Sequence, residues 1–247
     1  MDNSDFTNPV NQRGKTSYTS GYAIDRWKIP ASETTSLTVD SDGITVAANG
    51  ENGYLFHHII ATSNLIGKTL TAAVCLKDGT IYTFGNGIVS TISPSTETQI
   101  GTRTSTDNGV NLALFSSTNK TIMIQIKVPY GVSLELKWAA LYEGDYTAET
   151  LPPYIPKGYG VELVECQRYY QRHFVNFKYN EYYSYLPISV PMRVIPSATI
   201  IESYGNTIPE VVCEANVCVY AMFPNSVGEQ AQEDAWADAW IALSADL

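Results

Sequence analysis

The chain has 247 residues, of which 44% are hydrophobic and only 16% charged, with a formal net charge of −10. This length and apolar content suffice for a sizeable core and exclude an intrinsically disordered chain. The acidic balance, with a pI near 4.7, argues against a nucleic-acid partner, because that affinity rests on Lys and Arg neutralising phosphates.

Residues 1 to about 150 read as strands separated by turns. Leu70 to Leu76 and Ile122 to Val128 carry strand patterning, the latter with Ile122, Ile124, Ile126 and Val128 alternating with Met123, Gln125 and Lys127. Val132, Leu134, Leu136 and Trp138 are spaced to share one face of a further strand. Asp40-Ser41-Asp42-Gly43, Lys77-Asp78-Gly79 and Pro129-Tyr130-Gly131 mark tight turns, and nothing before residue 158 has helical period. Many strands joined by short turns predict an antiparallel sandwich of jelly-roll type.

Residues 151–160 hold three prolines and two glycines, a composition that suits a linker. Leu163, Cys166, Tyr170 and Phe174 then recur at i, i+3, i+7 and i+11, which predicts an amphipathic helix over 161–174 with an apolar stripe in need of a partner. From about 177 strand patterns return at 183–190, 197–201, 211–214 and 217–223. Residues 238–246 make either a closing strand or, from Ala235 to Trp240, the start of a helical turn. A two-residue hairpin loop at Ala215-Asn216 would set Glu214 against Val217 and Cys213 against Cys218. The expectation is thus an all-β chain: an N-terminal antiparallel jelly-roll sandwich over 1–150, a Pro/Gly linker and short connecting helix over 151–176, and a smaller C-terminal β-sandwich domain over 177–247.

No apolar run approaches a membrane span, and the first residues carry neither a basic nor an apolar region of the kind a secretory signal needs. No Lys, Arg or His follows Arg193, while eight acids do, which concentrates the charge at one end. Four cysteines in a chain this long make no disulfide framework, and their spacing is not that of a zinc site. Cys75 and Cys166 read as small buried hydrophobes, and reduced thiols fit assembly in a cytoplasm.

Site signals are weighed against packing. Trp27 lies among apolar residues and reads as core. Asp40-x-Asp42-Gly43 lacks the later acids of a calcium loop and reads as a plain turn. His57 and His58 are adjacent, so they project to opposite faces of a strand and form no metal pair. His173 has no Cys or Asp partner in sequence. Tyr179, Tyr182, Tyr183 and Tyr185 lie in the densest aromatic stretch and are the candidate ligand-binding residues, since tyrosine stacks on sugars at small entropic cost and is equally at home in interfaces. No nucleophile elbow, zinc-protease motif or phosphate loop is present, so neither a catalytic residue nor a cofactor or metal is expected.

A resemblance adds to this. Asn8-Pro9-Val10-Asn11-Gln12-Arg13-Gly14 and Gly21-Tyr22-Ala23-Ile24-Asp25-Arg26-Trp27 near the start are followed by Leu151-Pro152-Pro153-Tyr154-Ile155-Pro156 and Glu162-Leu163-x-x-Cys166-Gln167-Arg168-Tyr169-Tyr170. In that order they resemble bacteriophage and prophage tail-fibre or tail-appendage proteins, whose N-terminal domain is similar to carbohydrate-binding modules. The resemblance implies a virion tail protein, assembled in a bacterial cytoplasm, that adheres to host-surface glycans and contacts other tail proteins, without membrane insertion. It begins at the very start of the chain, which implies no tail-attachment region upstream. It also implies a homotrimer, with Leu163, Cys166, Tyr170 and Phe174 as oligomerisation candidates near the threefold axis. A free-standing carbohydrate-binding module or adhesin, and a polysaccharide depolymerase built on two carboxylates, are the alternatives.

Overall fold

The computed structural model describes residues 1–31, 34–60, 65–88, 98–104, 111–117, 121–178, 183–185, 188, 190–205, 210–215, 218–222 and 236–245. The chain divides into two units, Met1–Glu162 and Leu163–Asp246. Strands dominate both, so the all-β expectation holds.

In the first unit the strands are, in chain order, β1 (Ser17–Tyr18), β2 (Gly21–Tyr22), β3 (Trp27–Ile29), β4 (Thr35–Asp40), β5 (Gly43–Ala48), β6 (Gly53–Ile60), β7 (Thr69–Leu76), β8 (Ile81–Ile88), β9 (Thr98–Thr104), β10 (Asn111–Ser117), β11 (Thr121–Val128) and β12 (Ser133–Glu143). They form two six-stranded sheets with orders β1-β4-β5-β12-β7-β8 and β2-β3-β6-β11-β10-β9. All pairings between them are antiparallel. Both sheets contribute to one core, with Leu37, Val46, Leu134 and Leu136 from the first and Trp27, Leu55, Leu114 and Ile124 from the second. The alternation of β11 explains its place: Ile122, Ile124, Ile126 and Val128 are all buried, each worth about 1.5–3 kcal/mol relative to exposure.

The predicted turns lie where composition placed them. Asp40 pairs with Gly43 across the β4–β5 hairpin, and Gly43 is required there, because a Cβ would meet the Leu136 carbonyl oxygen at 2.2 Å. The ammonium of Lys77 sits 2.8 Å from Asp40 and 2.9 Å from Asp42, so the two carboxylates hold a lysine in a plain turn.

The face predicted for residues 132–138 is broken. Leu136 pairs with Leu76 but Trp138 with Cys75, so Lys137 is an extra residue that flips the parity of the strand. Leu134, Leu136 and Ala139 enter the core, while Trp138 turns outward. The N-terminal segment lines this part of β12, with Phe6 N–H donating to the Lys137 carbonyl and Ala139 N–H to that of Ser4, both at 3.0 Å. The proline-rich stretch read as linker is itself docked on this unit: the Tyr154 ring stacks on Trp138, and its hydroxyl is 3.0 Å from that of Ser4.

The helix α1 spans Tyr159–Gln167, shorter than the predicted 161–174. Tyr170 and Phe174 instead belong to strand β13 (Tyr170–Lys178). The reason is geometric: a spacing of four is one helical turn and also an even number of strand residues, so Cys166, Tyr170 and Phe174 fit either period. Nine consecutive pairs with a partner strand, from Tyr170 with Ser244 to Lys178 with Trp236, decide for strand.

The second unit continues with β14 (Tyr183–Tyr185), β15 (Ser197–Gly205), β16 (Glu210–Ala215), β17 (Cys218–Met222) and β18 (Trp236–Ser244). Two three-stranded sheets result, β13-β18-β15 and β14-β17-β16. The ambiguous last segment is a strand, and a central one: Ala239, Ile241 and Leu243 of β18 are buried against Val175, with Val211 and Cys213 of the other sheet packed on the same cluster. The hairpin register differs from expectation. A bulge sets Ala215 against Cys218 and Cys213 against Val219, so the two cysteines are not a facing pair.

Candidate functional site

The outer face of the β2–β9 sheet gathers the residues best suited to meet a ligand. Because directly paired residues share a face, the register lines up Tyr22, Lys28, Phe56, Gln125 and Ala113 in one row across five strands. A second row holds Tyr54, Lys127 and Asn111, and a third His58, Met123 and Phe115. Tyr22, Tyr54, Phe56 and Phe115 are half-buried, as are Gln125, Asn111 and both lysines. The opposite face of the same strands is core, with Trp27, Leu55, His57 and Ile124 buried.

The rings on this face are met by cations. Lys28 Nζ lies 5.4 Å and Arg13 Cζ 5.2 Å from the centre of the Tyr22 ring, and Lys127 Nζ lies 5.9 Å from that of Tyr54. Tyr54 and Phe56 are 6.1 Å apart, tilted to each other. His58 is pushed down to about 4, first by burial and then by Lys28 and Arg26, so it stands neutral beside a positive field. Chemically the face offers aromatic planes, amide donors and acceptors, and ammonium groups, the set that stacks on a sugar ring and hydrogen-bonds its rim.

A buried polar clamp holds this sheet to the N-terminus. Asn3, with φ of 55°, donates from its side-chain amide to the carbonyls of Val10 at 2.8 Å and Asp25 at 2.7 Å, and accepts from Val10 N–H at 2.7 Å. Trp27 Nε1–H donates to the Asn3 carbonyl at 2.8 Å, and Asn3 N–H donates to the buried Glu162 carboxylate. Asp25 holds Arg13 at 2.5 Å and the side chain of Gln12 at 2.8 Å. His57, fully buried, donates from Nε2 to the Asp2 carbonyl at 2.8 Å and meets Trp27 edge-on. The two N-terminal motifs therefore meet each other in a structural clamp, and Trp27 is core, as its neighbours in sequence implied.

His57 and His58 do project to opposite faces. His173 Nε2 is 3.1 Å from Gln171 Oε1. Among the described residues no group of His, Cys, Asp and Glu is placed to hold a metal, and no helix is long and apolar enough to cross a membrane.

The sequence-predicted residues lie elsewhere. Tyr179 and Tyr182 fall outside the described residues. Tyr183 and Tyr185 are on β14, where their backbones pair with Met222 and Tyr220, and their side chains also fall outside the description. Leu163 is half-buried and Cys166 fully buried on α1, while on β13 Tyr170 is buried and Phe174 half-exposed, so the four do not form one helical stripe. The apolar side chains that α1 exposes are Tyr159, Val161 and Val164, whereas its Glu162 is buried. The rows of the β2–β9 sheet were hidden because β6 reads Gly-Tyr-Leu-Phe-His-His-Ile-Ile, apolar on both faces, with no alternation to separate Tyr54 and Phe56 from Leu55. The available signal was polar: Gln125 and Lys127 mark the outward parity of β11. Compared with known proteins, the chain matches no family model, no curated protein and no solved structure.

Proposed function

We propose that the chain is a structural, receptor-binding component of a phage or prophage tail, a fibre or appendage protein that adheres to host-surface glycans through the outer face of the β2–β9 sheet. The observation that carries this reading is the pair of rows Tyr22-Lys28-Phe56-Gln125 and Tyr54-Lys127-Asn111 on one half-exposed sheet face. The order of motifs resembling tail appendages supports the virion setting. Strand pairs nest in a jelly roll as β5–β12 and β6–β11 do here, one in each sheet, which supports the reading of a domain similar to carbohydrate-binding modules. The role is binding without catalysis. The protein works as a homotrimer docked on other tail proteins, since repeated weak sites on one assembly raise avidity; the exposed Val161 and Val164 of α1 supply apolar surface for self-association.

A glycan array probed with the purified chain tests the reading. The wild type binds a defined set of saccharides, and Tyr54→Ala and Phe56→Ala each weaken that binding about tenfold or more while remaining folded. Binding that survives both substitutions unchanged, or no saccharide bound, contradicts it.

A further inference from the structure

The charges on the β2–β9 face run against those of the chain. The protein carries a net charge of −10, and several of its other cations are held by acids: Lys68 holds Glu143, Lys77 holds Asp40 and Asp42, Lys157 lies by Asp2, and Arg13 holds Asp25. Lys28 and Lys127 each meet a tyrosine ring. Among the described residues the registers bring no carboxylate onto this face, whose polar members include Gln125, Asn111 and His58. Two ammonium groups with no acid partner among the described residues, both set among half-exposed rings, are complementary to a negatively charged ligand. Lys28 and Arg26 add to burial in lowering the neighbouring His58.

From this juxtaposition we infer that the ligand of the β2–β9 face is an acidic saccharide, whose ring stacks on Tyr54, Phe56 and Tyr22 and whose anionic groups meet Lys28 and Lys127. The inference rests on the adhesion reading above and names its ligand class. The two lysines stand on β3 and β11 with β6 between them and two residues apart along the strands, which separates their Cα atoms by roughly 12 Å. They therefore engage anionic groups on different parts of an oligosaccharide. Single-stranded nucleic acid also combines bases for stacking with negative charge, but its affinity needs many phosphates neutralised along a groove, and two lysines on an acidic protein do not supply that.

The test uses the full chain on an array that displays uronate-, sialate- and phosphate-bearing saccharides beside their neutral counterparts, followed by calorimetry on the best acidic hit and on oligothymidylate. The expected result is acidic hits at least about tenfold tighter than their neutral counterparts, weakening as salt is added. Lys28→Gln and Lys127→Gln should each reduce affinity for the acidic hit about fivefold, with Lys→Arg restoring most of it and Lys68→Gln as the charge control without effect. Tyr54→Ala should reduce binding of acidic and neutral saccharides alike. Equal binding of acidic and neutral saccharides, indifferent to both lysine substitutions, overturns the inference and leaves the adhesion reading standing. No saccharide bound overturns both, and tight oligothymidylate binding without a saccharide hit does so in favour of nucleic acid.

Discussion

Trp138 lies face to face with Tyr154, with ring centroids 4.7 Å apart and planes 10° from parallel. The contact exists because one extra residue in β12 turns Trp138 out of the core, where a following proline-rich segment covers it. Burial pushes the Tyr154 hydroxyl up to about 12, so it remains a donor or acceptor to Ser4 throughout the neutral range.

Tyr154→Ala should therefore lower the stability of the first unit by about 1–3 kcal/mol, the worth of an aromatic stack plus its buried area. Tyr154→Phe, which loses only the Ser4 hydroxyl partner, should cost about 0.5–1.5 kcal/mol. Urea denaturation followed by tryptophan fluorescence separates the two, and equal effects would mean that the stack contributes nothing.

Asn3→Ala removes three hydrogen bonds at once and takes from Val10 N–H and the Asp25 carbonyl the partners they have in Asn3, while the Val10 carbonyl keeps Asp25 N–H. At about 1–3 kcal/mol for each unsatisfied buried group, the loss should exceed about 2 kcal/mol. A melting temperature unchanged by this substitution would show that the clamp is not needed to hold the N-terminal motifs together.

His57 and His58 make the first unit sensitive to acid. Burial and then Arg26 hold His57 well below its usual 6.5, and burial with Lys28 and Arg26 brings His58 to about 4. Between 6.5 and those values the unfolded chain binds protons that the folded chain does not, so stability is full above about 6.5 and falls as pH drops toward 4. Carboxylates such as Asp40, held below 3.8 by Lys77, add their loss only at still lower pH. Denaturant midpoints between pH 7 and pH 4.5 should decline, and His58→Gln should flatten the decline. A flat wild-type profile would contradict the burial of both rings.

If the exposed side of α1 carries the trimer contact, Val161→Glu with Val164→Glu should dissociate it, because both valines are about half exposed in the single chain. Light scattering should give three times the 27.2 kDa chain mass for the wild type and one for the variant. A wild-type monomer at micromolar concentration would remove the trimer from the account.

Strands with strict alternation were legible in the sequence, as β11 demonstrates, because a period of two fixes which residues face the core. The turns were legible too, since Asp-Gly and Pro-x-Gly carry their own backbone preferences. What could not be read was parity after a bulge, as at Lys137, and the choice between helix and strand where apolar residues recur at four, as from Cys166 to Phe174. The hairpin of Cys213 and Cys218 failed for the first of these reasons, with a bulge shifting the facing pair by one. The candidate site was invisible for a further reason: its rows join residues from β2, β3, β6, β11 and β10, and only long-range register assembles them.

The most direct test of the adhesion surface is amide chemical-shift mapping of the labelled chain on titration with its best array ligand. The account predicts shifts concentrated at Tyr22, Lys28, Tyr54, Phe56, Gln125 and Lys127, on adjacent strands of one sheet. Shifts confined to the second unit, around Tyr183 and Tyr185 or along β13 and β18, with none on those six residues, would contradict it.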